Sequence, residues 1–360
     1  MKKFFMFAAM ASVALVSCVK NDPAPAGDQG DAIVFNSPVI GNVTKATEYS
    51  GVHYPTTVPF YVYAWYTAKN TTFVGTGDLY MNHVDVTYDE DLKVYRSKTQ
   101  KYYWPKNGDL TFFAYSPKSV NNGTLTASDA DSNGEVVLTY SVPTASGDQI
   151  DLLYSDWNKD QLPANYDSDN TYADGQKYNA GIDIAFNHAL SVIKIFFQGT
   201  TAAVDGVRIQ EVTLSGVKNT GTLTCNSETP PTEWTVSDTP TDTYTVLAEV
   251  DEEGDDCKLL STSAEQYENF ILLPQTLTDD VKLNIKYFIK KTGGWLAQNE
   301  TIILNTATVT DAEFNQNALT TWLMNTRYTY NVKIDVEEIH FAPRIKTWVD
   351  VTVDTIEKDF

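Results

Sequence analysis

The sequence predicts an all-β protein built as two tandem β-sandwich domains. Three observations carry that expectation. Apolar residues come in short runs or in strict alternation, as at Val281, Leu283, Ile285, Tyr287 and Ile289, and not at helical spacing. The runs are rich in β-branched and aromatic residues, which suit a pleated surface. Gly, Pro, Asn and Asp punctuate them at close intervals, the pattern of short strands joined by turns. A chain of 360 residues is long enough for two domains, each with its own core.

The most continuous apolar stretch, Ile182 to Phe197, is expected as a buried strand that ends the first domain at its junction with the second. Before it, strands are expected at Ala32–Phe35, Val58–Tyr66, Leu79–Val86, Lys93–Arg96 and Lys101–Pro105. Leu110–Pro117, Gly134–Val142 and Asp151–Ser155 follow, with Leu110–Pro117 paired to Lys101–Pro105 across the turn at Asn107-Gly108. After it come Val207–Leu214, Phe270–Gln275 and Val281–Ile289, the last followed by a hairpin turn at Gly293-Gly294. Asp311–Met324 reads as a short helix or a long loop. Tyr328–Val336, Ile339–Ile345 and the alternating Val349, Val351 and Val353 close the chain. That last segment has half its side chains apolar and needs a groove to bury them.

The N-terminus carries an address. Lys2 and Lys3 precede an uncharged stretch from Phe4 to Val16, too short to stay in a bilayer as a spanning helix. Leu15-Val16-Ser17-Cys18 then looks like a bacterial lipobox. The expectation is a lipoprotein signal peptide over residues 1–17, with Cys18 acylated and holding the mature chain to a membrane. Several acyl chains anchor firmly at about 0.8 kcal/mol per buried methylene. Val19 to Asp31, with two prolines and two glycines, is a flexible tether.

The formal net charge of −21 excludes nucleic acid as a partner, because its phosphates would be repelled. No serine or cysteine nucleophile motif, phosphate-binding glycine loop or metalloprotease helix is present, so no catalytic residue, cofactor or metal site is assigned. Asp129 to Glu135 begins like a calcium loop, but Tyr140 stands where an EF-hand places its bidentate glutamate, and a turn at Asn133-Gly134 explains the same residues. His188, between apolar neighbours, reads as a core histidine with satisfied ring nitrogens. Most of the Tyr and Trp residues read as core or cross-strand pairs. Cys225 and Cys257 either pair in an oxidising compartment or remain two thiols.

An ordered series of short motifs adds to this reading. Lys101-Tyr-Tyr-Trp-Pro105, Leu110-Thr-Phe-Phe-Ala-Tyr-Ser-Pro117, Asp151-Leu-Leu-Tyr-Ser155 and Phe186-Asn-His-Ala-Leu-Ser-Val-Ile193 come first. Leu273-Pro-Gln275, Arg327-Tyr-Thr-Tyr-Asn-Val332 and Ile345-Lys-Thr-Trp348 continue it across nearly the whole mature chain. The series resembles the fimbrillin-like family of Gram-negative anaerobes. The resemblance implies two transthyretin-like β-sandwich domains, at 46–199 and 200–360, in a pilus subunit exported as a lipoprotein. It also implies that residues 18–45 form a lipidated tether and a removable first strand, Ile33, Val34 and Phe35, released by a cut between Lys45 and Ala46. The C-terminal residues Ile345, Val349, Val351, Val353 and Ile356 would then be the donor strand that fills the emptied groove of another subunit. An arginine-specific protease would not accept Lys45; either the protease is broader, or the subunit keeps its first strand as a basal anchor.

The function expected from the resemblance is therefore a structural subunit of a cell-surface fimbria, not an enzyme. Its partners would be other fimbrial subunits and the outer membrane, through the lipid on Cys18. The alternative is a surface lipoprotein adhesin that holds a host glycan or protein on exposed aromatic residues; a glycosidase, with two carboxylates in a cleft, stands third.

Overall fold

The computed structural model describes residues 32–40, 52–117, 119–129, 133–162, 181–201, 203–239, 241–249, 257–306, 319–335 and 339–347. Among these residues the regular structure is strand and short 3-10 turn, with no α-helix. The first half contains β1 (Val39–Ile40), β2 (Val52–His53), β3 (Phe60–Ala68), β4 (Asp78–Asp89), β5 (Val94–Arg96) and β6 (Gly108–Ser116). It continues through β7 (Thr124–Ala127), β8 (Glu135–Ser141), β9 (Leu153–Ser155), β10 (Asn158–Gln161) and β11 (Ala185–His188). The second half contains β12 (Ser191–Gly199), β13 (Val207–Lys218), β14 (Thr220–Asn226), β15 (Thr235–Val236), β16 (Thr241–Ala248), β17 (Lys258–Leu259) and β18 (Glu265–Leu272). β19 (Gln275–Thr276), β20 (Lys282–Lys291), β21 (Gly294–Ile303), β22 (Thr321–Trp322), β23 (Thr326–Ile334) and β24 (Ile339–Thr347) complete it.

The large N-terminal sheet runs β2-β1-β11-β9-β6-β3-β4-β5, with β10 also on β6. β3 reads Phe-Tyr-Val-Tyr-Ala-Trp, without polar alternation, because both its faces are buried. Tyr61, Tyr63 and Trp65 enter one core, while Phe60, Val62 and Ala64 enter another. A second sheet, β15-β14-β8-β7, pairs strands from the two halves of the chain, from Thr220 opposite Ser141 to Asn226 opposite Glu135. The remaining large sheets are β18-β12-β23-β24 and β16-β13-β20-β21.

Two sequence expectations are corrected here. Ser191–Gly199 does not end the first sandwich: β12 lies between β18 and β23 in a sheet of the second half, so the change of sheet falls at Ala189-Leu190 and not after Gly199. Lys101–Pro105 is not a strand hairpinned to β6. Tyr103 makes a single bridge to Ala32, and β6 pairs with β3 instead. The hairpin marked by Gly293-Gly294 forms, with ten consecutive β20–β21 pairs closing at Lys291 opposite Gly294 and a two-residue turn at Thr292-Gly293.

The two halves are sewn together by more than β14. One core runs from Tyr63, Phe113 and Leu138 through Ile193 and Leu214 to Tyr330. The Trp234 indole Nε1 donates to the Ala189 carbonyl at 2.7 Å, inside that core. Gln149 reaches across: its Nε2 donates to Pro143 O at 2.9 Å, and its Oε1 accepts the Ile271 N–H at 2.7 Å. That contact caps a donor on the outer edge of β18, where an unpaired N–H would otherwise invite another strand.

Candidate strand-docking groove

The first described segment is the most distinctive feature of the N-terminal sheet. Residues 32–40 run parallel to 181–186, with Phe35 opposite Ile182, Val39 opposite Ala185 and Ile40 opposite Phe186. On its other side the segment has two successive partners. Phe35 bridges Tyr95 of β5, and Val39–Ile40 pairs with β2. Residues 32–36 thus join the β5 edge of the sheet to the strand leading into β11, closing the sheet on itself. Phe35 N–H donates to Tyr95 O and Tyr95 N–H to Phe35 O, both at 2.8 Å. Ile33 N–H donates to Tyr102 O (2.9 Å), Ile182 N–H to Val34 O (2.9 Å) and Asn36 N–H to Ile182 O (3.0 Å).

The segment is apolar because both its faces are covered. Ile33 and Phe35 point into the core beside Phe60, Phe112, Ile182 and Phe186. The Phe35 ring meets Phe60 and Phe112 edge-on, each at 5.8 Å between centroids. Ala32 and Val34 face the other way, onto Leu92 and Val94, with Tyr103 beside them. Val34 is 2% exposed and Phe35 1%. At about 1.5–3 kcal/mol for each large side chain, burying Ile33, Val34 and Phe35 stabilises the closed form by about 5–9 kcal/mol before ordering costs.

The walls are held in place by polar contacts. Asp89 anchors the turn between β4 and β5. Its Oδ1 accepts the N–H groups of Asp91 (3.1 Å) and Leu92 (3.2 Å), and its Oδ2 pairs with Arg96 at 2.6 Å. Burial works against the charge on Asp89, but Arg96 and those two N–H groups outweigh it and hold the carboxyl below the usual carboxylate range. Tyr95 donates from its hydroxyl to Pro55 O at 3.1 Å, and burial pushes its pKa up to about 12. At the far end the Asn36 amide donates to Gly181 O and to the Asp183 carboxylate, both at 2.7 Å. Gly181 is required there: a Cβ would lie 2.6 Å from Asn36 N. A cavity of about 10 Å³ remains beside Ala32, Ile33 and Phe35, lined on its polar side by Arg96, Ser97, Gln100 and Lys101. That is room for about one water.

The other residues singled out in the sequence are scattered. Cys18, Lys45 and Ala46 lie outside the described residues, as do Val349, Val351, Val353 and Ile356. Lys45 belongs to the connection 41–51 between β1 and β2. Ile345 is corrected: it belongs to β24 of its own sheet, opposite Tyr328 of β23, and the residues after Thr347 lie outside the described ones. Cys225 on β14 and Cys257 before β17 are both buried and not bonded to each other. Burial pushes the Cys225 thiol far up. His188 is a core residue whose Nδ1 lies 2.8 Å from Asp151 Oδ1. Among the described residues, no group of three or more His, Cys, Asp or Glu could hold a metal ion. Sequence reasoning missed the walls, namely Tyr95, Ile182, Leu92 and Val94; the one local signal was the glycine at 181, followed by alternating Ile182 and Ile184.

Comparison with known proteins agrees with this architecture. The model of the fimbrillin-like family matches residues 44–348. A fimbrial protein of Bacteroides vulgatus has a similar structure, with a TM-score of 0.56 at 17% identity, over 88% of this chain and 100% of that one. A candidate cell adhesion protein of Bacteroides ovatus gives 0.50 at 15% identity, over 90% and 100%. At these identities the likeness is one of fold. No match is found among curated proteins. The family match spans most of the chain, and the chain belongs to the fimbrillin-like family.

Proposed function

We propose that this protein is a structural subunit of a cell-surface fimbria, exported as a lipoprotein on Cys18, and that a cut after Lys45 readies it for assembly by strand exchange. One observation carries the reading: residues 32–35 are buried on both faces and bonded on both edges, yet they join the body of the sheet through the connection that contains Lys45. A cut there leaves 32–40 held by non-covalent contacts alone. Their departure opens an apolar groove between β5 and the strand entering β11, with unpaired carbonyls at Tyr95 and Ile182 and unpaired N–H groups on the same two residues. A β-strand from another subunit restores both the pairing and the burial, which is β-augmentation. The family match begins at Thr44, so the proposed plug precedes the matched unit. The role assigned is structural, and no reaction is assigned to the chain.

The test is brief trypsin treatment of the purified chain, with the new termini read by mass spectrometry and the product run unboiled on a denaturing gel. A cut after Lys45 followed by a ladder of detergent-resistant oligomers is the expected result. Resistance at Lys45, or a clean cut with no ladder, would remove this chain from the polymerising class.

A further inference from the structure

The groove restricts which residues can enter it, and that restriction selects a register. Its inner wall accepts the side chains at the Ile33 and Phe35 positions, and its outer wall, made by Leu92 and Val94, buries the one between them. Three consecutive positions therefore exclude charge. Residues 348–360, which follow β24 and lie outside the described residues, read Trp-Val-Asp-Val-Thr-Val-Asp-Thr-Ile-Glu-Lys-Asp-Phe. Their valines alternate with Asp350, Thr352 and Asp354, so a carboxylate falls at the Val34 position, the most buried on the outer wall, in all but one of the registers that turn two valines inward.

We propose that Thr352 is the register residue of the donor strand: in a second copy of this chain it takes the place of Val34, flanked by Val351 and Val353 on the inner wall. Threonine has the shape of valine, and its hydroxyl is far cheaper to bury than a carboxylate. A shift of two residues either way puts Asp350 or Asp354 at the Val34 position, away from the cavity and its cations. A shift of one turns the valines outward. Running in the plug's own direction, this register sets Asp350 at Ala32, at the margin of the outer wall, where the adjoining cavity is lined by Arg96 and Lys101. It also sets Thr355 at exposed Ser37 and Ile356 at buried Pro38. The reverse direction would put Val349 at exposed Ser37, so the parallel one is assigned. One mismatch remains: Asp354 takes the position of Asn36, whose amide is bonded to the Asp183 carboxylate.

This inference rests on the strand-exchange reading, and the experiment separates the two. Chains cut after Lys45 are scored for ladder formation as wild type, as a truncation after Thr347, and as Thr352→Asp, Thr352→Val, Asp350→Asn and Asp354→Asn. Loss of the ladder on truncation is expected. Thr352→Asp should slow assembly by more than about tenfold, the effect of burying an unpaired charge. Thr352→Val and Asp350→Asn should stay within about threefold of wild type, and Asp354→Asn should assemble faster by relieving the clash with Asp183. A truncated chain that still ladders, or a wild type that never does, overturns strand exchange and the register with it. A truncated chain that fails beside a Thr352→Asp chain that assembles normally overturns the register alone. To guard against misfolding, Thr352→Cys is mixed with Arg96→Cys under oxidation, because the antiparallel Phe35–Tyr95 bridge sets the Val34 position opposite Arg96 and the Asn36 position opposite Val94. A cross-link between copies is expected there and not from Asp350→Cys or Asp354→Cys; the opposite preference also overturns the register.

Discussion

Phe35 is the residue on which closure of the N-terminal sheet depends most, and Phe35→Ala measures that dependence. The ring is 1% exposed and meets Phe60 and Phe112 edge-on at 5.8 Å. Truncating such a ring to a methyl costs about 3–5 kcal/mol, because lost transfer energy adds to the cavity left behind. In a unit of 150–250 residues each kcal/mol moves the melting midpoint by about 2–4 °C, so a fall of about 6–20 °C is expected. Scanning calorimetry on the uncut chain reads it directly, with Ser37→Ala at the exposed neighbouring position as control. Limited proteolysis gives a second reading, since a weakened plug should expose residues 32–40 to cleavage before the rest of the sheet. A fall of less than about 2 °C, or one matched by Ser37→Ala, would mean that the sheet is stable with its groove half empty. The plug would then not be what closes the sheet.

Three further outcomes test other parts of the structure. Gln149→Ala leaves the Ile271 N–H without its acceptor at the edge of β18 and should cost about 1–3 kcal/mol in urea unfolding; no change would show that water replaces the contact. Asp89 has a folded pKa below its unfolded value near 3.9, so its contribution is present above that value and is lost as pH falls through the folded pKa. Acidification below about pH 4 should therefore loosen the β4–β5 turn and speed release of the cut plug, and Asp89→Asn should remove much of that acid dependence. Cys225, buried with its thiol pushed upward, should react with a maleimide only after unfolding; fast labelling of the native chain would place it wrongly in the core.

The all-β class was legible because it is written locally, in alternation and in turn residues. Assignment of strands to sheets was not. β12 is apolar throughout Val192, Ile193, Ile195, Phe196 and Phe197, and such a strand fits any buried position. Its partners, β18 and β23, come far downstream, so sequence order pointed to the wrong half. The plug was half legible. Four consecutive apolar residues at Ala32–Phe35 announce a strand covered on both faces, since a strand with one wet face would alternate. What covers it was hidden, because Leu92, Val94, Tyr95 and Ile182 reach it from two distant segments. Tyr103 illustrates the same limit: its aromatic neighbourhood reads as a strand, while its backbone serves to bridge Ala32.

A comparison of plug and donor says what must drive the exchange. In the register proposed above, Ile33, Val34 and Phe35 give way to Val351, Thr352 and Val353, each smaller or more polar than the residue it replaces. At about 0.8 kcal/mol per methylene and more for the lost ring, the donor binds these walls more weakly by about 2–4 kcal/mol. Groove contacts alone therefore favour the plug, and the intact chain holds it at the high effective concentration of a short tether. On the strand-exchange reading proposed above, cutting the chain would remove that advantage and let the released piece diffuse or be carried off, so the donor would win by mass action and not by fit. The consequence is testable: a synthetic peptide of residues 19–45, added in excess to the cut subunit, should re-enter the groove and suppress the ladder in proportion to its concentration. A peptide with Phe35→Ala should do so only at concentrations at least about tenfold higher, consistent with the loss of a buried ring. Undiminished assembly in the presence of the wild-type peptide would show that the donor is the better ligand, and would refute the claim that removal of the plug is what makes exchange run forward.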